Sequence, residues 1–444
     1  MTTRREFLRA GAAGLAALPA VACRGRAASV AEPRADSAGQ AVPASIAALK
    51  SMKDQAQPIT NAERMARIER ARRLMADNRL DAVVLMGGTS LLYFSNISWG
   101  LSERLFAMVL PAKGEPFYVS PAFEEDRARE QIALGPFAAT PDLRTWQENE
   151  SPYERVAQGL KDRGIASGRV GMEETVRFVF SEGIGKAAPA LRIVSATPVT
   201  AGCRIVKDPH EVELMRLASK ATLAAYAAAF QALHEGLTQN EFSDLIATAH
   251  ARLGFQGRAG VQTGPYSANP HGSIAPQTIR KGTILLIDGG CAVEGYHSDI
   301  SRTFVLGKAT DKMKQVFDIV HHAQRAAADA ARPGLLLETV DAAARKVITD
   351  AGYGPGFKYF THRLGHGLGM DGHEWPYLVE HNMYGWVDRL LLEPRMVFTD
   401  EPGVYIRGEF GVRLEDDMVV TDKGGELLTP QSPSIEQPFT NVTT

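Results

Sequence analysis

Two pairs of acidic residues and a glycine-flanked histidine occupy positions from which they could share divalent cations. In Thr283-Ile284-Leu285-Leu286-Ile287-Asp288-Gly289-Gly290 a short apolar run reads as a buried strand and delivers a carboxylate to its end, where an uncompensated charge is costly. Asp288 therefore needs a cation or hydrogen-bond donors. Eleven positions later, Gly295-Tyr296-His297-Ser298-Asp299-Ile300 puts a second carboxylate on the returning arm of a hairpin, so that both can face one side. The pattern recurs in Met396-Val397-Phe398-Thr399-Asp400-Glu401-Pro402-Gly403 and Gly411-Val412-Arg413-Leu414-Glu415-Asp416. Between the pairs lie His362-Arg363-Leu364-Gly365-His366-Gly367-Leu368-Gly369 and His373-Glu374, in which glycines permit close backbone approach and histidines supply nitrogen ligands or acids.

Four carboxylates converging on one imidazole would repel one another unless divalent metal neutralised them. An oxygen-rich set with one nitrogen suits manganese, cobalt or iron better than a thiolate-type zinc site. Two such ions roughly 3.5–4 Å apart hold a bridging hydroxide and polarise a carbonyl together. Taken singly, each carboxylate would more often be a cap, a turn or a surface residue. The ordered set, with its glycine and proline neighbours, reverses that reading. Gly367-Leu368-Gly369-Met370-Asp371-Gly372 has the spacing of a dinucleotide fingerprint but lacks the preceding strand and βαβ unit, and Cys291 reads as a small core residue.

The elements that must position these residues fall into two domains, as a length of 444 suggests. A net charge of -2 gives no electrostatic reason to expect nucleic acid as partner, and the three cysteines are too few for a disulfide framework. Residues 1–28 read as a signal peptide: Arg4 and Arg5 precede Glu6-Phe7-Leu8, and the uncharged run Ala10 to Ala22 is thirteen residues long, short of the ~20 that span a bilayer. The paired arginines resemble the twin-arginine export signal, which implies a periplasmic protein; a lipid anchor at Cys23 is the minority reading. Residues 29–58, rich in Ala, Ser and Pro, read as a linker or disordered lead-in. An α/β domain is expected over 59–200, from a helix starting near Asn61 and apolar strands at Ala82 to Met86, Phe106 to Leu110 and Phe117 to Val119. After Arg204 to Pro209 a long helix begins, and 204–440 reads as a separate α+β domain without a regular βαβ rhythm.

Over Arg204 to Thr429 these motifs resemble the pita-bread metallopeptidases of the Xaa-Pro type, prolidase and aminopeptidase P, and Tyr93-Phe94-Ser95-Asn96 with Glu103-Arg104 resembles their creatinase-like N-terminal domain. The resemblance implies a pita-bread catalytic domain behind a smaller α/β domain, two metal ions (manganese first, with cobalt, iron or zinc as alternatives) and a homodimer. It assigns the metals to Asp288, Asp299, His366, Glu401 and Glu415. It gives His271 and His373 the substrate and its tetrahedral intermediate, His362 the proline side, Arg413 the family's active-site arginine, and Glu401 a second role as proton shuttle. The activity implied is hydrolysis of the bond before proline in small peptides by a metal-bridging hydroxide. A metal-dependent hydrolase or lyase of the same fold, acting on a small non-peptide substrate, is the alternative. Asp400 departs from the pattern, since an apolar residue more often precedes the Glu-Pro-Gly.

Overall fold

The computed structural model describes residues 41–139, 141–381 and 390–442, so the expected export signal, Cys23 and the lead-in up to residue 40 lie outside it. The expected disorder does not extend to residue 58. From Pro43 the chain is packed: α1 (Ala44–Ala47) and the residues after it bury Ile46, Met52 and Ile59. Ser45 Oγ donates to the Ala228 carbonyl at 2.8 Å, and the Met52 N–H donates to the Leu253 carbonyl at 2.8 Å. Ile46, Leu49, Met52, Ala56 and Ile59 recur at three- and four-residue steps, but they are carried on the short turns Ala44–Ala47 and Lys53–Gln55 rather than on one helix.

The N-terminal domain starts at α2 (Asn61–Asp77), where Thr60 and Glu63 form a reciprocal capping box. Next come β1 (Ala82–Met86), α3 (Thr89–Ser95), β2 (Ala107–Pro111), β3 (Phe117–Pro121), α4 (Glu125–Ala133) and β4 (Leu143–Trp146). The domain is completed by α5 (Pro152–Asp162), β5 (Gly168–Met172), α6 (Phe178–Ala187), β6 (Leu191–Ser195) and α7 (Thr197–Arg204). Its mixed sheet runs β4-β3-β2-β1-β5-β6, with β1 antiparallel to β2 and parallel to β5. Every residue of β1 is buried because both faces are covered. Val83 and Leu85 join the core beneath α2, α3, α4 and α7, while Ala82, Val84 and Met86 join the one beneath α5 and α6. That is why this strand reads as a continuous apolar run.

The C-terminal half opens with α8 (Pro209–Gln231), capped by Asp208 with Glu211 and carrying Pro209 in its first turn, and α9 (Gln239–Leu253), closed by Gly254 at φ 93°. Strands β7 (Gln256–Thr263), β8 (Ile284–Val293), β9 (Tyr296–His297) and β10 (Ile300–Val305) follow, then α10 (Asp311–Ala330) and α11 (Glu338–Asp350). The remainder is β11 (Gly365–Gly367), β12 (Glu374–Leu378), β13 (Val397–Asp400), β14 (Gly403–Ile406), β15 (Phe410–Arg413), β16 (Asp416–Thr421) and β17 (Gly424–Leu427). One sheet runs β10-β8-β7 with β9 on β8, a second runs β12-β11-β13-β16-β17, and β14 pairs with β15; these ladders are antiparallel. Tyr226, Phe242 and Ile246 of α8 and α9 pack on Leu285, Ile287 and Phe304 of the first sheet. Val316, Val320 and Ile348 of α10 and α11 pack on Phe398, Met418 and Val420 of the second. Alternation then turns Asp288 on β8 away from the apolar face packed on α8 and α9, and the side chains of Thr399 and Asp417 away from α10 and α11, Asp417 accepting instead from Ser219 of α8 at 2.7 Å. No helix among the described residues is long and apolar enough to cross a membrane.

Candidate metal centre

The two sheets each contribute acids to one cavity of about 560 Å³, lined by Asp288, Asp299, His366, Glu401 and Glu415 together with His271, His362, His373, Arg363 and Arg413. All nine residues singled out in the sequence therefore meet there. Asp288 lies opposite Ser301 in the β8/β10 ladder, and Asp299 immediately precedes β10. Glu401 follows β13 and Glu415 precedes β16, so each acid of the second pair sits where a strand breaks. Donor atoms of Asp288, Asp299 and Glu415 lie within 4.8 Å of one another, as do those of His366, Glu401 and Glu415, and of Asp299, His366 and His373. Glu415 is shared by the first two triads.

His366 stands on β11 between β12 and β13, and its glycine neighbours are required there. A Cβ on Gly365 would meet the Thr399 carbonyl oxygen at 1.9 Å, and one on Gly367 the Trp375 carbonyl oxygen at 2.1 Å. The carbonyl of Gly367, 3.1 Å from His366 Nδ1, can only accept, so Nδ1 carries the proton and Nε2 offers a lone pair. That lone pair faces Glu401 Oε1 at 3.5 Å and Asp299 Oδ2 at 3.9 Å. Burial, with the neighbouring His373, lowers His366 to about 3, so the ring is neutral at neutral pH. The His373 ring stacks on it with centroids 3.5 Å apart.

The acids are unequal. Burial works against the charge of Asp288, yet Arg413 and Ser301 hold it below the usual carboxylate range: Arg413 Nη2 donates to Oδ2 at 2.6 Å and Ser301 Oγ lies 2.8 Å from Oδ1. Burial followed by Asp288 and Glu401 pushes Asp299 well above that range, and burial followed by Asp299 and Glu401 does the same to Glu415. Burial, opposed by Arg413 and reinforced by Asp288, pushes Glu401 up to about 7. Neutral imidazole and crowded carboxylate oxygens turned on one another without enough cation between them are the signature of a site built for added positive charge. The donor set thus fits two divalent ions, with Glu415 placed to serve both.

Arg413 organises the opposite wall. Besides Asp288, it donates from Nε to Ser301 Oγ at 2.9 Å, and from Nη1 to the Pro270 carbonyl at 2.9 Å and Tyr405 Oη at 3.0 Å. It thereby fixes the turn that carries His271. His362 Nδ1 faces the Arg363 carbonyl at 2.7 Å and must donate, which leaves Nε2 to accept from the Tyr405 hydroxyl, also at 2.7 Å. Burial, with Arg413, lowers His362 to about 3, so it forms a neutral wall whose nitrogens are both engaged.

Four residues that serve the site were not anticipated. Ser301 Oγ lies 2.6 Å from Glu415 Oε2 and 2.8 Å from Asp288 Oδ1, so its single proton is contested. Thr399 Oγ1 donates to Glu401 and accepts from the His366 N–H, Asp417 accepts from the Asp299 N–H, and Tyr405 joins His362 to Arg413. Three of them stand two residues from a predicted ligand, and the two-residue period of a strand could have found them. Asp400 points the other way. It is buried beside Asp416, neither of its carboxyl oxygens has a hydrogen-bond partner among the described residues, and burial with Asp416 pushes it well above the carboxylate range.

Residues 213–422 match the model of Metallopeptidase family M24, and residues 67–206 that of the Creatinase/Prolidase N-terminal domain. A protein named Xaa-Pro dipeptidase from Lactobacillus delbrueckii subsp. lactis is 30% identical over 377 residues, covering 83% of this chain and 98% of that one. Among solved structures, dipeptidase PepE from Mycobacterium ulcerans has a TM-score of 0.78 at 32% identity, covering 86% of this chain and 99% of that one. A recombinant prolidase from Thermococcus sibiricus has a TM-score of 0.73 at 29% identity, covering 84% and 98%. The chain belongs to metallopeptidase family M24, with a creatinase/prolidase N-terminal domain ahead of its catalytic half.

Proposed function

We propose that this metallopeptidase hydrolyses the bond preceding proline in small peptides, dipeptides first, with two manganese ions held by Asp288, Asp299, His366, Glu401 and Glu415. One observation carries the reading: the neutral His366 Nε2 and the oxygens of three crowded carboxylates face one another inside a cavity of dipeptide size. The names its relatives carry, Xaa-Pro dipeptidase, dipeptidase and prolidase, support the substrate class.

When bound, paired divalent ions supply Lewis-acid activation of water and of the scissile carbonyl. The chain supplies the rest. Glu401 is placed to take a proton from the attacking water and deliver it to the departing proline nitrogen. His271 and His373 line the cavity and donate to the carbonyl oxygen as it gains charge. His362, locked between Arg363 and Tyr405, offers the proline ring a neutral face that cannot compete for protons. Arg413 keeps Asp288 ionised and ready to bind cation.

The test loads the purified protein with manganese and offers Gly-Pro-type dipeptides, longer peptides with proline second, and proline-free dipeptides. Release from the first two groups alone is expected. Turnover confined to proline-free peptides, or to a small non-peptide, would refute the substrate class.

For export we rely on Arg4, Arg5 and the uncharged run from Ala10 to Ala22. Replacing both arginines with lysine is expected to trap the protein in the cytoplasm. Labelling with palmitate would point instead to an anchor at Cys23. A homodimer is the assembly expected, and sedimentation of the purified protein reads it.

A further inference from the structure

His373 has no side-chain hydrogen bond to fix its ring among the described residues; it stacks on His366 and otherwise depends on its backbone. That backbone, the turn between β11 and β12, is gripped from outside the catalytic half. Arg204, the last residue of α7, directs Nη2 to Asp371 Oδ2 at 2.6 Å and to Glu374 Oε2. Lys207 Nζ donates to Glu374 Oε1 at 2.8 Å and to the Arg204 carbonyl at 2.6 Å. Thr89 Oγ1, on α3 of the N-terminal domain, donates to Asp371 Oδ1 at 2.5 Å. The two acids flank His373 in sequence, and two cations face two carboxylates with Lys207 and Glu374 almost wholly buried, at 1% and 7% side-chain exposure.

We propose that Arg204, seconded by Lys207 and Thr89, is a positioning residue for His373, so that the N-terminal domain helps set the catalytic geometry. The inference rests on the proposed role of His373 at the reacting carbonyl. Physically, a buried guanidinium that bridges two carboxylates has little freedom to relax, so the turn between them inherits its placement. A shift of about 1 Å in an oxyanion donor costs roughly 10²-fold in rate without necessarily weakening substrate binding. Lys207 lines neither cavity at His373, and Arg204 lines only the neighbouring one of about 230 Å³, so both stand outside the cavity that holds the acids.

The test is a cycle on the manganese-loaded full chain. Arg204→Met is expected to lower kcat by about 10²-fold on Gly-Pro, with KM and metal affinity held within roughly threefold. Both carboxylate contacts come from the single nitrogen Nη2, so Arg204→Lys, which keeps one donor and the charge on a different stem, should recover part of that loss. In a His373→Ala background, Arg204→Met should cost nothing further, because the group it positions is gone. An equal loss in both backgrounds, or wild-type kcat in a folded Arg204→Met, would overturn the proposal. If Arg204→Met does not fold, Thr89→Val and Arg204→Lys carry the same cycle, each expected to lower kcat only while His373 is present. Should the wild type turn over no Xaa-Pro peptide, the substrate reading fails first. The clamp is then read from the His373 ring resonance, assigned by His373→Gln: a shift in Arg204→Lys supports it, and an unchanged resonance refutes it.

Discussion

Two buried clusters of charge lie on either side of His373, and they are balanced in opposite ways. In the interdomain clamp Arg204 and Lys207 pair with Glu374 and the part-exposed Asp371, with Glu173 a further acid near Arg204. In the cavity Asp288, Asp299, Glu401 and Glu415 face Arg413, with Arg363 a weaker neighbour of Glu401. A closed set of pairs fixes geometry and asks nothing of solvent. An open set raises the proton affinity of its own acids until cations arrive. The same residue types thus serve opposite ends, and the local sum of charge separates the scaffold from the chemistry.

The largest effect should come from the open set. Glu401→Ala is expected to lower kcat by roughly 10²–10⁴-fold while far-UV circular dichroism stays unchanged, because a proton carrier is lost along with a ligand. Residual activity near wild type would dissolve the contrast. Next is the closed set. Glu374→Gln leaves Arg204 and Lys207 underpaired in the interior, at an expected cost of about 3–5 kcal/mol in urea unfolding. A loss under 1 kcal/mol would show that the clamp is no more than a surface pair.

A pH scan of the metal-free protein sharpens the comparison. Glu401 rises to about 7, chiefly through burial, and Asp417 to about 8 through burial, from ordinary values of 4.5 and 3.8. Between those limits the folded state holds more protons than the unfolded chain, so stability falls as pH rises. His362 and His366, lowered to about 3, act in the opposite sense only below the ordinary histidine value of 6.5. From pH 6.5 to 8 the melting temperature of the metal-free protein should therefore decline, and saturating manganese should flatten or reverse that slope. A rising slope without metal would contradict the open cluster. The smallest effect concerns Asp400, whose unpartnered carboxyl gives nothing to either cluster: Asp400→Val is expected to raise stability by about 1–3 kcal/mol with kcat unchanged.

The ligands were legible because Asp288, His366 and Glu401 sit where a strand meets glycine or proline, and Asp299 and Glu415 stand in the arms that return from those turns. The clamp was not. Arg204 and Glu374 stand 170 positions apart, and their pairing exists only once the two domains have packed. Strands and helices of both domains were readable from their periods, and β1 from its unbroken apolar run. The packed stretch from Pro43 to Ile59 escaped because its five apolar anchors, though spaced by three and four, sit among Ala, Ser, Lys and Gln on two short turns and are buried only against α8 and α9. Ser301, Thr399 and Asp417 escaped because small polar residues in strands are common without any role at a metal.

That stretch has a mechanical consequence. The polypeptide touches α8 and α9 first, at Ser45 and Met52, leaves to build the sheet of β1 to β6, and comes back at α7 to enter α8. The smaller domain is consequently moored at both of its ends. A body held at one corner can swing; this one is lashed at both ends and again at Arg67 and Thr89, and Arg204, which grips the His373 turn, stands at one of those ends.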